Sequence, residues 1–543
     1  GKSRGPETST IVPFQMNAIA GFHRLAINGL DALSDQPLCI DGINLICNGE
    51  IYNYKELYKS LGITPKTNSD CEVIIHLYKK FGIEYTLTLL DGVFAFALQD
   101  SRNVDYSIYI ARDPYGVRPL YKLRTTNPNT YNKPYKESYG FASEMKMLID
   151  LKENIFNGRT SHIEQVKPGT YSKLIYPKTV CGEWVYEINE KKYNSLPNIY
   201  NYEINTKESD VLLQNVKNAL ELAVKKRVEN TERPIACLLS GGLDSSLITA
   251  LVSKYYDYKK NGPLKTYTIG LPGSEDFKYA EQVAEFLKTD HTTITMNEDD
   301  FFNVIPEVIY NVESYDTTTV RASVGNYLVA KYISENSDAK VIFNGDGADE
   351  VMGGYLYFHK CPNEFDFDNE TRRLVENIHF FDVQRSDRSI SSNGLEPRTP
   401  FLDKGFVQSY FSLPANLRFF SNKDGQREKY LIRKMFDDDN LLPKETLWRV
   451  KEAFSDGVSS HKRSWYEIIK EKLGNEKYDT NLNQHITPVT QEQKYYKSKF
   501  DKYFKNCDTV IPHYWMPKYV DANDASARTL DVYNENMSTQ KEA

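Results

Sequence analysis

Ser240-Gly241-Gly242-Leu243-Asp244-Ser245-Ser246 lies between an apolar run, Ile235-Ala236-Cys237-Leu238-Leu239, and a second one, Leu247-Ile248-Thr249-Ala250-Leu251-Val252. The first run reads as a buried strand and the second as the opening turns of a helix. A strand that passes through a glycine pair into a helix leaves backbone N–H groups unpaired, with hydroxyls beside them and the positive end of the helix dipole behind. That is an anion nest. It is not a Walker loop, because no Gly-Lys-Ser/Thr follows, and it lacks the third glycine of the dinucleotide fingerprint. Asp244 within it suits a metal-bridged pyrophosphate, since Mg²⁺ takes one or two carboxylates plus phosphate oxygens. A bare Ser-Gly-Gly would be an ordinary strand-to-helix turn; the full seven residues after a strand read as a phosphate site.

Outward from the nest, strands and helices alternate. A helix over Val211–Val228 precedes it, Thr266-Tyr267-Thr268-Ile269 is a second strand, helices follow near Phe277–Leu287 and through Val320–Ile333, and Val341-Ile342-Phe343 is a third strand. Such alternation predicts a parallel sheet with helices on both faces and ligands at the carboxyl ends of the strands. The third strand ends in Asn344-Gly345-Asp346-Gly347-Ala348-Asp349-Glu350, and the acid spacing there does not fit an EF-hand calcium loop. On one sheet edge with a pyrophosphate nest, these carboxylates read as Mg²⁺ ligands or as a proton-handling group; a solvated turn is the plain alternative. Helical patterns over Thr371–Ile390 and Lys423–Phe436 give this domain a helical half. Trp448–Gly457 reads as a loop whose cations reach a phosphate, or else as a charged surface loop.

From Arg4 to about Tyr186 short apolar runs alternate with turns, among them Ile43–Cys47, Val93–Leu98, Ser107–Ala111 and Tyr139–Ala142, with helical patterns near Asp70–Phe81 and Glu144–Leu151. These predict antiparallel sheet layered with helices. Three polar clusters stand at strand ends: Arg24 after Gly21-Phe22-His23, Asn48-Gly49-Glu50, and Ser69-Asp70. Asn-Gly offers a side-chain amide and a backbone N–H, the donors an oxyanion hole needs, while an arginine and two carboxylates suit the α-groups of an amino acid. Each alone also has an ordinary reading, as a hairpin turn, a surface arginine and a helix cap.

The chain has 543 residues, 40% hydrophobic and 26% charged, which predicts at least two domains of a soluble protein. A net charge of −7 provides no basic field for nucleic acid. Seven cysteines without a CxxC pair read as reduced thiols of a cytoplasmic protein. No apolar run is long enough to span a membrane, and no signal peptide is visible. The expected divisions are a first domain over 1–186, a linker over 187–210, a second domain over 211–520, and a polar, disordered tail over 521–543.

Taken in order, these segments resemble the glutamine-dependent asparagine synthetases over nearly the whole chain. The resemblance rests on Asn48–Asn53, Gly92–Ala97, Ala142–Lys146, the Ser240–Ser246 loop, Thr318–Ser323, Gly353–His359, Pro400–Asp403 and Phe454–Val458. It implies a two-domain α+β and α/β fold: an N-terminal-nucleophile hydrolase αββα sandwich with glutaminase activity, then a parallel-sheet ATP-pyrophosphatase domain, adenine nucleotide α-hydrolase-like, with a helical C-terminal half. It implies that aspartate is adenylated to β-aspartyl-AMP with loss of pyrophosphate, and that ammonia from glutamine displaces AMP. By the same resemblance Arg24, Asn48, Gly49, Glu50 and Asp70 hold glutamine, with Asn48 and Gly49 as the oxyanion hole. Leu238, Ser240, Gly241, Gly242, Asp244, Ser245, Ile269 and Gly345 line the ATP site, Asp244 and Asp349 hold Mg²⁺, and Thr318, Thr319 and Arg321 form the aspartate pocket. Lys451 neutralises charge on the α-phosphate. Aspartate, glutamine and ATP are the expected partners, with a homodimer as the assembly and neither nucleic acid nor membrane involved.

Two departures stand out. The family's nucleophile is a cysteine at the mature N-terminus, and Arg4-Gly5-Pro6 matches a motif downstream of it, so the sequence is expected to begin past that residue. Asp346 stands where the family usually has glutamate, one methylene longer. The runner-up resemblance is to β-lactam synthetases, which share both domains and close an amide within one substrate. A non-catalytic relative would have an eroded nest or no Lys451, and this chain keeps both.

Overall fold

The computed structural model describes residues 1–14, 16–126, 137–154, 160–177, 183–198, 206–420, 425–478, 485–531 and 533. They form two units, Gly1–Ser195 with Phe504–Val510, and Leu196–Tyr503 with Ile511–Ala543.

In the first unit a six-stranded antiparallel sheet runs in the spatial order Val185–Lys192, Thr170–Tyr176, Tyr106–Arg112, Gly92–Asp100, Ile43–Ile51, Leu38–Ile40. Side chains alternate across a strand, so each face can carry its own core. Phe94, Phe96 and Leu98 join Ile43, Leu45, Ile74 and Ile75 beneath the helices Tyr54–Leu61 and Val73–Leu89. On the opposite face Ala95 and Ala97 meet Ile110, Tyr139, Phe141 and Val166. Tyr139 and Phe141 belong to a three-stranded antiparallel sheet, Glu137–Ala142, Tyr121–Thr126 and Thr160–Gln165, against which the helix Met145–Asn154 packs. The layers are therefore helix, sheet, sheet, helix, the expected αββα sandwich.

The second unit is built on five parallel strands in the order Asp290–Thr295, Lys265–Gly270, Ile235–Leu238, Val341–Phe343, Glu396–Arg398. The chain winds outward from Ile235–Leu238 to one edge, then returns to lay Val341–Phe343 on its other side. The strand order thus reverses between Ile235–Leu238 and Val341–Phe343, which opens a crevice beyond their carboxyl ends. Both chemical loops emerge there. Ile235–Leu238, Lys265–Gly270 and Val341–Phe343 lie where strands were expected, the first and last wholly apolar. The two edge strands are Asp290-His291-Thr292-Thr293-Ile294-Thr295 and Glu396-Pro397-Arg398, whose polar composition hides them from a periodicity reading.

The structure redraws the expected linker and tail. Val185–Lys192 pairs into the six-stranded sheet, and the first helix of the second unit begins at Thr206 rather than at 211. Residues 199–205 lie outside the described residues. The tail is not loose at its start: Asp524 pairs with Arg321, Ser526 bonds to Asp456, and Leu530 and Tyr533 are buried. Its continuation, 534–543, lies outside the described residues. Among the described residues no helix is long and apolar enough to cross a membrane.

Phe94 is fully buried between sheet and helices. Phe94→Ala is expected to lower the unfolding free energy of the first unit by about 3–5 kcal/mol, read from hydrogen exchange of the strand Ile43–Ile51. A loss below about 1 kcal/mol would mean that this face is not the core.

Candidate active site

The nest forms as its sequence requires. Gly241 has φ +73°, and a Cβ there would sit 2.5 Å from the Ala280 backbone nitrogen, so both conformation and space demand glycine. Gly242 caps the helix Leu243–Tyr255 in an extended conformation. Behind the turn the Ser245 hydroxyl accepts the Ser240 N–H at 3.2 Å and lies 3.0 Å from the Ser240 hydroxyl, which ties the loop to the helix. Across the crevice, a Cβ on Gly345 would come 2.7 Å from the Asp244 carbonyl carbon and 2.8 Å from the Ser245 nitrogen. The two loops are in contact.

That contact sets Asp244 beside Asp349, two carboxylates that would repel each other. Two lysines bridge them. Lys429 Nζ lies 2.5 Å from both Asp244 Oδ2 and Asp349 Oδ1, and Lys451 Nζ lies 2.7 Å from Asp349 Oδ2 and 3.6 Å from Asp244 Oδ2. Burial by itself would raise the Asp349 pKa, but the two ammonium groups outweigh it and hold the carboxyl far below the usual range. For Lys451 burial works downward, and Asp349 and Asp244 more than reverse it, so the ammonium stays charged.

Asp346 sits on the same loop. Burial pushes its pKa up, the Arg385 guanidinium 2.8 Å away opposes that, and Asp382 adds to it. Arg385 also pairs with Asp382, whose Oδ2 accepts the Gly347 N–H at 3.1 Å. Asp346 Oδ2 is buried without a hydrogen-bond partner among the described residues. Beyond it the Tyr355 hydroxyl donates to Glu350, whose carboxyl burial holds well above its ordinary pKa.

One cavity is lined by the nest, Leu238, Ile269, Gly345, Asp346, Asp349 and Lys451. Thr318 also lines it, with Ala322 and Asn326, at positions i, i+4 and i+8 of the helix Thr317–Asn336. Thr319 and Arg321 fall on other faces of that helix and do not line the cavity. Thr319 is spent on the cap, its N–H and hydroxyl both bonded to Asp316, and Arg321 is saturated by Glu492 and Asp524. Gly241 packs behind the loop against Tyr279 and Ala280. Lys429, Arg385 and Asp382 are cavity residues that the sequence reading missed, because all three lie within stretches that read simply as helix.

The donor set fits a magnesium ion bound with a polyphosphate. Asp244 and Asp349 face one another, Asp244 Oδ1 is buried without a hydrogen-bond partner, and no group of three or more His, Cys, Asp or Glu offers a fuller cage among the described residues. Two carboxylates with phosphate oxygens are what Mg²⁺ ordinarily takes.

In the first unit Asn48 and Gly49 are not a hairpin turn. They pair with Ala95 and Phe94 inside a strand that runs on to Ile51. Gly49 has no room for a side chain, since a Cβ would lie 2.1 Å from the Val93 carbonyl oxygen. Asn48 Nδ2 donates to Ser143 Oγ at 3.2 Å, Glu50 accepts from Asn28 Nδ2 at 2.6 Å, and Asp70 accepts the Ile51 N–H at 2.6 Å. Arg24 ends the hairpin Thr8–Phe14/Ala18–Arg24 and gathers the loop after it, donating to the Gly29 carbonyl, to the Asp31 carbonyl at 3.0 Å, and to Asp35 at 2.5 Å. Asn28, Glu50 and Asp70 thus converge at the end of the Ile43–Ile51 strand.

The asparagine synthase family model matches residues 215–370 and 362–519, and the glutamine amidotransferase domain model matches residues 2–173. The chain is 41% identical over 533 residues to the glutamine-hydrolysing asparagine synthetase of Gallus gallus, covering 95% of this chain and 92% of that one. The chain belongs to the asparagine synthetase family. The Homo sapiens member is 40% identical over 554 residues, covering 98% of this chain and 94% of its own. The synthetase unit therefore holds the nest and the four bridged charges, and the amidotransferase unit holds Arg24, Asn48, Gly49, Glu50 and Asp70.

Gly345→Ala forces the Asp244 loop outward at an overpacking cost of about 1–3 kcal/mol, so ATP affinity should fall about 5- to 150-fold in equilibrium binding; unchanged affinity would contradict the contact. Asp349 has a folded pKa below its unfolded value, so its ion pairs stabilise the protein above pH about 4, and that contribution is lost as pH falls through the folded pKa. Unfolding measured against pH should show Asp349→Asn less stable than the parent at pH 7 and converging with it in acid. A gap independent of pH would contradict the charge assignment.

Proposed function

We propose that this ligase makes L-asparagine from L-aspartate and ATP, with glutamine or ammonia as nitrogen donor, releasing AMP and pyrophosphate. The observation that carries this reading is the contact of the nest with the Asp346–Asp349 loop at the crevice, bridged by Lys429 and Lys451. An aspartate β-carboxylate oxygen attacks the α-phosphorus, the bond from that phosphorus to the β-bridging oxygen breaks, and pyrophosphate leaves into the nest. Ser240, Gly242 and Ser245 offer it N–H and hydroxyl donors, with the helix dipole behind them. Leu238, Ile269 and Gly345 line the nucleotide end of the cavity.

Asp244 and Asp349 would hold Mg²⁺, which when bound neutralises phosphate charge. Lys451 is free to turn from Asp349 to the α-phosphate once that charge is balanced, and stabilises the transition state electrostatically. Thr318 is the aspartate-pocket residue that faces the cavity; Arg321 lies behind that wall, paired with Glu492 and Asp524. Ammonia then attacks the acyl carbon and AMP departs. Asp346, with a buried oxygen left unpartnered, accepts a proton from the attacking nitrogen, and Arg385 fixes its position.

In the amidotransferase unit Arg24, Glu50 and Asp70 hold the α-groups of glutamine, and Asn48 with Gly49 stabilises the oxyanion. The free state of the six described cysteines supports a cytoplasmic setting. No observation favours closure of an amide within one substrate.

The test is product analysis of the purified protein supplied with ATP, Mg²⁺, aspartate and either glutamine or ammonium. Asparagine, AMP and pyrophosphate are expected from both nitrogen sources, and absence of AMP with aspartate under either condition rejects the reading. Asp346→Ala should lose asparagine formation by about 100-fold or more; unchanged turnover would remove Asp346 from the mechanism.

A further inference from the structure

Residues 524–531 and 533 run along both walls of the synthetase cavity. Asp524 accepts two hydrogen bonds from Arg321, at 2.7 and 2.8 Å, and Arg321 lies on the helix whose Thr318, Ala322 and Asn326 form one wall. Two residues on, Ser526 donates its hydroxyl to Asp456 Oδ1 at 2.7 Å, and the Ala527 N–H reaches Asp456 Oδ2 at 3.2 Å. Arg528 then donates to Glu452 Oε1 at 2.7 Å and to the Ser460 carbonyl at 2.8 Å, and the Tyr533 hydroxyl donates to Glu452 Oε2 at 3.0 Å. Glu452 follows Lys451 directly. Residues 449–453 carry no helix or strand, so that wall has no secondary structure of its own to fix it.

We propose that residues 524–531 with Tyr533 form a strap that positions Lys451, with Arg528 as its principal positioning residue. This rests on the role of Lys451 given above. The charges explain why a cation is needed there: Glu452 and Asp456 are neighbouring acids in a buried site, and Arg528 is the cation placed against Glu452. Removing it leaves a buried carboxylate uncompensated one residue from Lys451, where it competes with Asp349 for the ammonium. Because the strap is also anchored on Arg321, it holds the Lys451 wall in register with the Thr318 wall. Arg321 thus bears on the aspartate pocket through the strap rather than by contact with substrate.

The test compares Arg528→Met, Arg528→Lys and Ser526→Ala with the parent and with Lys451→Met. Pyrophosphate release is measured with ATP, Mg²⁺, aspartate and ammonium, and trypsin cleavage after Arg449 and Lys451 is followed by mass spectrometry. Arg528→Met should lower kcat about 10- to 100-fold, the scale of a misplaced catalytic group, with KM for aspartate within about threefold, and should accelerate cleavage in the loop. Arg528→Lys should restore part of kcat. Ser526→Ala, a milder change, should shift kcat and cleavage in the same direction and keeps the test open if Arg528→Met does not fold. Unchanged kcat overturns the strap, whether or not cleavage accelerates. A fully active Lys451→Met would instead refute the function proposed for the site, while the cleavage rates would still report whether the segment orders the loop.

Discussion

Two carboxylates brought together at the one crevice of a parallel sheet govern the rest of the synthetase unit. Asp244 and Asp349 come from loops at the ends of adjacent strands, and those loops touch so closely that Gly345 cannot carry a side chain. Like charges at that separation in a buried site are unfavourable unless compensated. The compensation comes from the helical half, which supplies Lys429 and Lys451 from positions 185 and 207 residues beyond Asp244 in the chain. Sheet order, loop glycines and helical half therefore answer one electrostatic requirement. On the function proposed above, a magnesium ion held with a polyphosphate would meet the same requirement from the substrate side and would leave the lysines to act on phosphate.

Behind this cluster lies a layer of buried ion pairs that fixes its members. Arg433 pairs with Glu428 beside Lys429, Arg388 lies 3.3 Å from Glu313 just before the helix Thr317–Asn336, and Arg449 lies 3.0 Å from Asp276 beside Lys451. The Arg449 guanidinium also stacks 3.9 Å over the Tyr279 ring, the residue that fills the space behind Gly241. Such pairs contribute little net stability, because desolvation offsets attraction. Their value is in holding charged groups where charge develops, so that little reorganisation remains at the moment of reaction.

The parts legible in the sequence were those in which local chemistry and local structure coincide. Ile235–Leu239 is apolar, the glycines are placed where the backbone needs them, and the nest could be read in one window. Ile43–Cys47 and Val93–Leu98 were legible for the same reason. The polar edge strands Asp290–Thr295 and Glu396–Arg398 were not, because their stability comes from pairing rather than from two apolar faces. Lys429, Arg385 and Asp382 reach the cavity only through the tertiary fold. Helical period does separate Thr318 from Thr319 and Arg321, a distinction available in the sequence but obscured by reading the three as one motif. The segment after Val520 looked too polar to pack, yet Asp524, Ser526 and Arg528 each meet a buried partner.

The proposed reaction turns on attack by the β-carboxylate of aspartate on the α-phosphorus of ATP in this crevice. Aspartate labelled with ¹⁸O in both β-carboxylate oxygens, incubated with ATP, Mg²⁺ and ammonium, tests it most directly. One ¹⁸O atom is expected in AMP and one in the amide carbonyl of asparagine, with none in pyrophosphate. Label in pyrophosphate, or AMP without label alongside asparagine, would contradict it.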